Sequence, residues 1–386
     1  MCSEWQKTTL GEVFDVRDGT HDSPKYQDEG YPLITSKNLK NGSLSFEKVN
    51  FISKVDFEKI NVRSEVHKGD ILFAMIGTIG NPVLIIEEPV FAIKNVALFK
   101  VPKTQSGKFL KYYLESSFVT EKMSKEAKGA TQKFVGLGYL RKFPISLPPI
   151  PEQQRIVAIL DQAFADIEKA RANAEKNLKN ARELFDSYLN QVFSQRGEGW
   201  VETSLASIAE NLDSRRVPIT KSKRTKGEYP YYGASGIVDY VSDFIFDEDL
   251  LLISEDGANL LARTYPIAFS ASGKYWVNNH AHVLRFKNGN QQKFIEYYLN
   301  SISLVPYISG MAQPKLNQKS LNNIPVPMAD SVIVNEIVKK LNVLSNDIDE
   351  LEVTYKNKLA SLEELKKSLL QKAFSGELTK TEGHAA

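Results

Sequence analysis

The stretch Lys108-Phe109-Leu110-Lys111-Tyr112-Tyr113-Leu114-Glu115-Ser116 returns, 185 residues later, as Lys293-Phe294-Ile295-Glu296-Tyr297-Tyr298-Leu299-Asn300-Ser301. It is not isolated. Gly129, Gln132, Leu140 and Phe143-Pro144-Ile145 return as Gly310, Gln313, Leu321 and Ile324-Pro325-Val326, at an offset of 181. That offset persists through Ile156 and Ile337, Leu160 and Leu341, and Phe193-Ser194 and Phe374-Ser375. Upstream, Trp5, Thr8, Leu10 and Val13 pair with Trp200, Thr203, Leu205 and Ile208. The chain of 386 residues therefore says nearly everything twice. Such a repeat gives one chain a pseudo-dimer symmetry. That symmetry suits a target which is itself roughly two-fold, and duplex DNA is the commonest one.

Each half reads as a mixed segment followed by a long helix. Apolar runs such as Ile71–Ile76, Val83–Ile86, Val96–Phe99, Leu250–Ile253 and Ala281–Phe286 are short and bounded by Gly and Asn turns. They predict buried strands. Short helices are predicted over 106–116 and 291–301. The expected fold class is α+β, with two similar globular domains separated by two long helices that pair as an antiparallel coiled coil. The expected boundaries are a domain over 1–150, a helix over 151–197, a domain over 198–329, a helix over 330–376 and a tail over 377–386.

The first helix follows Pro148-Pro149-Ile150-Pro151 and has Glu152 in its first turn; it runs without Gly or Pro to Gln195-Arg196 before Gly197. The second begins near Asp330-Ser331, either of which can cap it, and stops at Gly376. Its apolar seam reads Ile337, Leu341, Leu344, Ile348, Leu351, Tyr355, Lys358, Leu362, Leu365 and Leu369, in alternating steps of four and three. The equivalent seam of the first helix includes Ile156, Leu160, Ile167, Ala174, Asn177, Leu184 and Tyr188. Both seams turn polar at Asn177 and Lys358. Either these residues fix register, or the seam shifts there onto Leu178 and Leu359.

The single cysteine, Cys2, excludes an internal disulfide framework and fits a reducing compartment. No apolar run approaches a membrane span, and the first residues do not resemble a signal peptide, so a cytoplasmic protein is expected. The net charge of +2 hides an imbalance, because residues 1–150 carry 21 Lys and Arg against 17 Asp and Glu. Any case for nucleic acid is therefore local. No phosphate-binding glycine loop, dinucleotide fingerprint, nucleophile elbow or Asn/Asp-Pro-Pro-aromatic run is present. His280-x-His282 could share one strand face as a metal pair, and Glu255-Asp256-Gly257 could be an acidic site. Two polar residues on a strand and an ordinary turn account for them better.

The local basic signal is clearest at Arg215, Arg216, Lys221, Lys223, Arg224 and Lys226, a run with no acid. Such a run can neutralise several phosphates. In the first half Arg17, His21, Lys25, Lys37 and Lys40 are interleaved with Asn38 and Asn41 in a turn-rich region. Candidate DNA contacts are thus Arg17, His21, Lys25, Thr35, Ser36, Lys37, Asn38, Gln132 and Lys133, together with Arg215, Arg216, Lys221, Arg224, Lys226, Ser235, Gln313 and Lys315. The paired Gly-x-x-Gln turns at 129 and 310 are either structural corners or duplicated contact loops.

Several motifs together resemble the specificity subunit of type I restriction-modification systems, over essentially the whole chain. They are Trp5 through Leu10-Gly11-Glu12-Val13, Tyr31-Pro32-Leu33-Ile34-Thr35, Gly69-Asp70-Ile71-Leu72 with Gly77-Thr78-Ile79-Gly80, and Tyr229-Pro230-Tyr231-Tyr232-Gly233-Ala234-Ser235-Gly236. The most specific is Ile145-Ser146-Leu147-Pro148-Pro149-Ile150-Pro151-Glu152-Gln153-Gln154-Arg155-Ile156. The resemblance implies two target-recognition domains, each reading half of a bipartite double-stranded DNA sequence. It also implies helices that dock methyltransferase subunits, with nuclease-translocase subunits joining the complex. Catalysis, S-adenosylmethionine, ATP and magnesium would belong to those partners, with no cofactor or metal in this chain. The second copy departs from the pattern, with Met328-Ala329-Asp330-Ser331 in place of the Pro-Pro run. A coiled-coil adaptor that binds proteins is the alternative from another class.

Overall fold

A computed structural model describes residues 5–129, 133–310 and 313–380. The chain divides into two compact units, Met1–Ala174 with Asn357–Ala386, and Glu175–Lys356. Each is built on a four-stranded antiparallel sheet. In the first unit the spatial order is Asp15–Asp18, Val96–Lys100, Ile71–Ala74, Gly80–Leu84. In the second it is Ala209–Asn211, Ala281–Phe286, Leu250–Ser254, Ala268–Ala271. The two orders are equivalent strand for strand.

The central strands are largely apolar, apart from Lys100, Ser254, His282 and Arg285, because both faces of the sheet are covered. Alternation along the strand divides them between two cores. Ile71, Phe73, Ala97 and Phe99 pack beneath the helix Gly107–Glu115, with Phe109, Leu110 and Tyr113. Leu72, Ala74, Val96 and Leu98 face the opposite way, against Ile34, Leu39 and Val83. The second unit repeats the division. Leu251, Ile253 and Leu284 lie against Phe294, Ile295 and Tyr298, while Leu250, Leu252 and Val283 lie against Phe246 and Tyr275. Both covering helices are capped by a side chain, Ser106 accepting from the Phe109 amide and Asn288 from that of Gln291. Each then pins the strand ahead of the long helix: Tyr113 Oη donates to the Pro144 carbonyl (2.5 Å), and Tyr298 Oη to that of Pro325 (2.6 Å).

The long helices span Ile150–Ser194 and Ser331–Phe374. Asp330 caps the second by accepting from the amides of Val332 and Ile333. Gly376, at φ +77°, closes its end, where Glu377 and Leu378 amides return to the Lys372 carbonyl. The first helix stops at Ser194, short of Gly197. Within each unit, segments of both helices run antiparallel and complete the core. The first unit takes Ile156 and Leu160 from one helix and Leu370, Ala373 and Phe374 from the other. The second takes Leu189 and Phe193, with Val334, Val338 and Leu341.

The residues of the expected seam lie at different depths. Ile156, Leu160, Ile167, Leu341 and Ile348 are buried, and Ile337, Leu344, Leu362 and Leu369 are half-buried. Leu184, Leu351 and Leu365 are 63%, 40% and 47% exposed. Phe185, Glu352 and Lys366 turn inward in their place, as Leu178 and Leu359 do for Asn177 and Lys358. Glu352 and Lys366 have partners there, and Phe185 meets the Tyr297 ring edge-on. Arg182 Nε reaches Glu352 Oε1 at 2.6 Å, Asn177 Nδ2 reaches Tyr355 Oη at 3.2 Å, and Lys366 Nζ stands over the Phe164 ring at 5.2 Å. A heptad assigned from leucines alone misses partners of this kind.

The units differ beyond the shared sheet. The first carries a three-stranded sheet, in the order Asn50–Ile52, Tyr31–Ile34, Ala92–Ile93, beside the helix Lys54–Ser64. The second carries a four-stranded sheet dominated by the hairpin Lys226–Gly233 and Gly236–Val241.

Candidate nucleic-acid interface

Strand register gathers the candidate loops of each unit at one end of its central sheet. In the first unit Ala74 pairs with Val96, so Met75–Gly77 and Lys94-Asn95 leave the sheet together. The hairpin around Gly129 is tied to this end: the Val135 amide donates to the Met75 carbonyl and the Gly77 amide to that of Lys133, both at 2.9 Å. In the second unit Ser254 pairs with Ala281, so Glu255–Gly257 and His280 leave together. The hairpin around Gly310 is tied in the same way, Leu316 to Glu255 (2.8 Å) and Gly257 to Pro314 (3.0 Å). Lys315 therefore corresponds to Phe134 and Lys133 to Pro314. The segments flanking the repeated turns share identical anchorage. Lys133 and Gln313 are exposed at them, while Gln132 lies outside the described residues.

The remaining candidates separate into held and free groups. Thr35 and Asn38 form a cap: the Thr35 amide and Oγ1 donate to Asn38 Oδ1, and the buried Asn38 donates onward to the Ser45 carbonyl at 3.0 Å. Ser36 Oγ donates to the Asn95 carbonyl (3.3 Å). These residues shape the loop. Arg17 is bound to Asp15 at 2.6 Å and to the Arg63 carbonyl. His21 bridges Asn95 Oδ1 (2.7 Å) and the buried Asp18 (2.9 Å), which Arg63 also contacts. Lys25 and Lys37 are exposed and make no ion pair among the described residues.

The acid-free run of the second unit is acid-free only in sequence. Arg215 reaches Glu248 at 3.0 Å and lies over the Phe246 ring; Arg224 reaches Asp239 at 3.0 Å and lies over Tyr231. Arg216 is 13% exposed and sits among acceptors: Glu255 Oε2 at 2.6 Å, the Ala281 carbonyl at 2.7 Å and Asp213 Oδ2 at 3.4 Å. Lys221, Lys223 and Lys226 are the exposed cations, without an ion pair among the described residues. Ser235 is exposed in a turn held by Ser254, whose hydroxyl donates to the Ala234 carbonyl.

Asp213, Glu255 and His282 have the ligand atoms to suggest a metal site. Arg216 already fills the position a cation would take, and Lys315 Nζ adds a second charge 3.2 Å from Glu255. Both His282 ring nitrogens meet acceptors, Asp213 at 2.6 Å and the Leu316 carbonyl at 2.7 Å. Burial opposes ionisation of Asp213 and Glu255. Hydrogen bonds and positive neighbours outweigh it, so both carboxyls fall below their usual range. The network is a buried strut joining the basic segment to the hairpin. His280 stands apart from His282, donating from Nδ1 to the Asp256 carboxylate at 2.9 Å.

Sequence reasoning missed Lys94, Asn95 and Lys128 beside the first hairpin. A signal existed for Lys128, since residues 101–150 hold nine Lys and Arg against three Glu.

Two copies of one framework, each presenting its own loops at the same sheet end, define a two-unit recognition scaffold carried on paired helices. The model of the family described as type I restriction modification DNA specificity domain matches residues 2–176 and again 197–361. The chain belongs to this family. A Haemophilus influenzae chain provisionally named a type I restriction enzyme specificity subunit is 36% identical over 141 residues, which is 36% of each chain. The StySPI specificity subunit of Salmonella potsdam is 21% identical over 92% of this chain and 83% of its own length. The EcoprrI specificity subunit of Escherichia coli is 26% identical over 63% of each. A solved structure from work on assembly of the type I R-M system aligns over 97% of this chain and 98% of that one, with TM-score 0.76 and 19% identity. The HsdS subunit of Thermoanaerobacter tengcongensis aligns over 97% of both, with TM-score 0.59 and 20% identity. These structures share the fold, and the family match sets aside the adaptor reading. Among the described residues no helix is long and apolar enough to cross a membrane.

Proposed function

We propose that the chain is the DNA-recognition and scaffolding subunit of a type I restriction-modification complex, with each unit reading one half of a bipartite double-stranded target. The single observation behind this reading is the identical anchorage of two hairpins on two equivalent sheets whose surrounding loops differ. One framework thereby offers two unlike surfaces to two unlike half-sites. Lys25, Lys37, Lys94 and Lys133 in the first unit, and Lys221, Lys223, Lys226 and Lys315 in the second, supply phosphate contacts. The long helices dock methyltransferase subunits, and nuclease-translocase subunits join them. Those partners carry S-adenosylmethionine, ATP, magnesium and the chemistry, and the complex works in the cytoplasm. Domain boundaries near 150, 197, 330 and 376 separate recognition from docking.

The test is a domain exchange. Residues 200–325 are replaced by the corresponding segment of another specificity subunit, and methylated sites are mapped in cells that supply the methyltransferase. One half of the methylated sequence should change while the other stays. A change in both halves from a folded chain overturns the reading.

A further inference from the structure

Each unit places one polar side chain at the same spot, immediately before the inner strand of its sheet. In the first unit this is Asn95, ahead of Val96–Lys100, and in the second it is His280, ahead of Ala281–Phe286. The register makes them equivalent, since Val96 faces Ala74 and Ala281 faces Ser254. Each is oriented by a side chain from a neighbouring loop. His21 holds the Asn95 amide at 2.7 Å, and Asp256 holds His280 Nδ1 at 2.9 Å from both carboxylate oxygens. Backbone geometry fixes both further. Asn95 has φ +54°, a left-handed conformation that asparagine tolerates better than most residues, and its backbone N–H donates to the Thr20 carbonyl. The His280 amide donates to Asn278 Oδ1 at 2.8 Å.

Each side chain keeps a polar end uncommitted among the described residues: one end of the Asn95 amide, and Nε2 of His280. The His280 side chain is 49% exposed, whereas Asp256 behind it is 18% exposed. This is the arrangement of an outward-facing hydrogen-bonding group with a buttress behind it. A purely structural polar pair would satisfy both ends inward, as His282 does with Asp213 and the Leu316 carbonyl. The two groups also lie beside the equivalent hairpins, at the sheet end where the other candidate contacts gather.

Building on the half-site reading above, we infer that Asn95 and His280 are specificity-determining residues. Each hydrogen-bonds the edge of one base in its own half-site, and His21 and Asp256 act as positioning residues. The chemistry differs where the framework does not: a planar amide in one unit and an imidazole in the other. Side-chain amides and rings engage base edges through such oriented atoms, and one well-placed hydrogen bond discriminates against the wrong base by roughly three- to tenfold.

The experiment maps methylated sites, in cells supplying the methyltransferase, for Asn95→Ala, His280→Gln, His280→Ala and Asp256→Asn. Asn95→Ala should relax one position of one half-site, and His280→Ala one position of the other half, each by roughly three- to tenfold in relative methylation. Asp256→Asn should relax the same position as His280→Ala but less. His280→Gln, which retains a hydrogen-bonding end, should alter or partly restore the preference. Melting curves on the same proteins check folding, and Asp256→Asn and His280→Gln stay informative if an alanine variant fails to fold. Unchanged sequence preference in all four variants overturns the inference. It would leave the half-site reading standing if the domain exchange still moves one half. If Asn95→Ala and His280→Ala relax the same half, both the inference and the assignment of one unit to each half are wrong.

Discussion

The two units share a skeleton and differ at its end. Their sheets have the same strand order, their covering helices donate a tyrosine hydroxyl to equivalent proline carbonyls, and each receives a phenylalanine from a long helix. Phe374 stands edge-on to Phe109 and Tyr113 at 5.3 Å, and Phe193 to Phe294 and Tyr298 at 5.2 Å. At the loop end the correspondence dissolves. A helix over Lys54–Ser64 stands in one unit and a long hairpin over Lys226–Val241 in the other, while Asn95 becomes His280 and Ile76 becomes Asp256. Duplication has kept what packing constrains and released what faces outward. Interiors are close-packed, so a change in one copy must be answered by its neighbours, whereas an exposed loop can change alone.

The shared skeleton is the place to seek the largest effects. Phe193→Ala should destabilise the second unit by about 3–5 kcal/mol, the usual cost of emptying a buried aromatic site. Phe374→Ala should cost the first unit less, because Phe374 is only half-buried. Denaturant melts of the two variants decide whether the equivalence is energetic as well as geometric. Equal losses would mean that the extra exposure of Phe374 is immaterial.

Next come the loop ends, where neighbours in sequence should behave unlike each other. Arg216→Ala leaves the Asp213 and Glu255 carboxylates buried with Lys315 and His282 alone, and should cost about 3 kcal/mol. Arg215→Ala removes a pair that is 44% exposed on the arginine side and should cost less than about 1 kcal/mol. Similar losses for the two would show that the buried strut is not special.

Acid should distinguish the same strut. Asp213 and Glu255 both have depressed folded pKa values, so they stabilise the second unit fully above their unfolded range near about 4. That contribution is lost as pH falls through the lower folded values, when the unfolded chain binds protons first. Glu352, drawn down to about 2 by hydrogen bonds from Arg182 and Lys356, adds a smaller contribution across the helix pair. The stability of Arg182→Ala should therefore fall less steeply than wild type between about pH 4.5 and 2. Identical slopes would count against the pair.

The smallest effect concerns the free cations. Replacing Lys221 and Lys226 with alanine should leave melting unchanged within about 0.5 kcal/mol. In the assembled complex it should flatten log affinity against log salt by about one unit per lost phosphate contact. Replacing Arg215 and Arg224 instead should change the slope less, because both are already paired within the chain. A reversed ranking would mean that the arginines release their acids on binding DNA.

The sequence by itself determined the repeat, the inner strands of the central sheets, the capping residues of the long helices and the family pattern around Pro148-Pro149-Ile150-Pro151-Glu152-Gln153. These depend on local periodicity and on proline, glycine and capping residues, which act over a few positions. Tertiary structure decided which polar groups are free. Arg216 and Glu255 are 39 residues apart, and Arg215 and Glu248 are 33 apart, so no window along the chain shows that a basic run is neutralised from elsewhere. It also decided the helix seam, where Arg182 of one helix draws Glu352 of the other inward and leaves Leu351 outside. It gathered Asn95, His280 and the two hairpins as well, because strand register, not sequence distance, determines which loops leave a sheet at the same end.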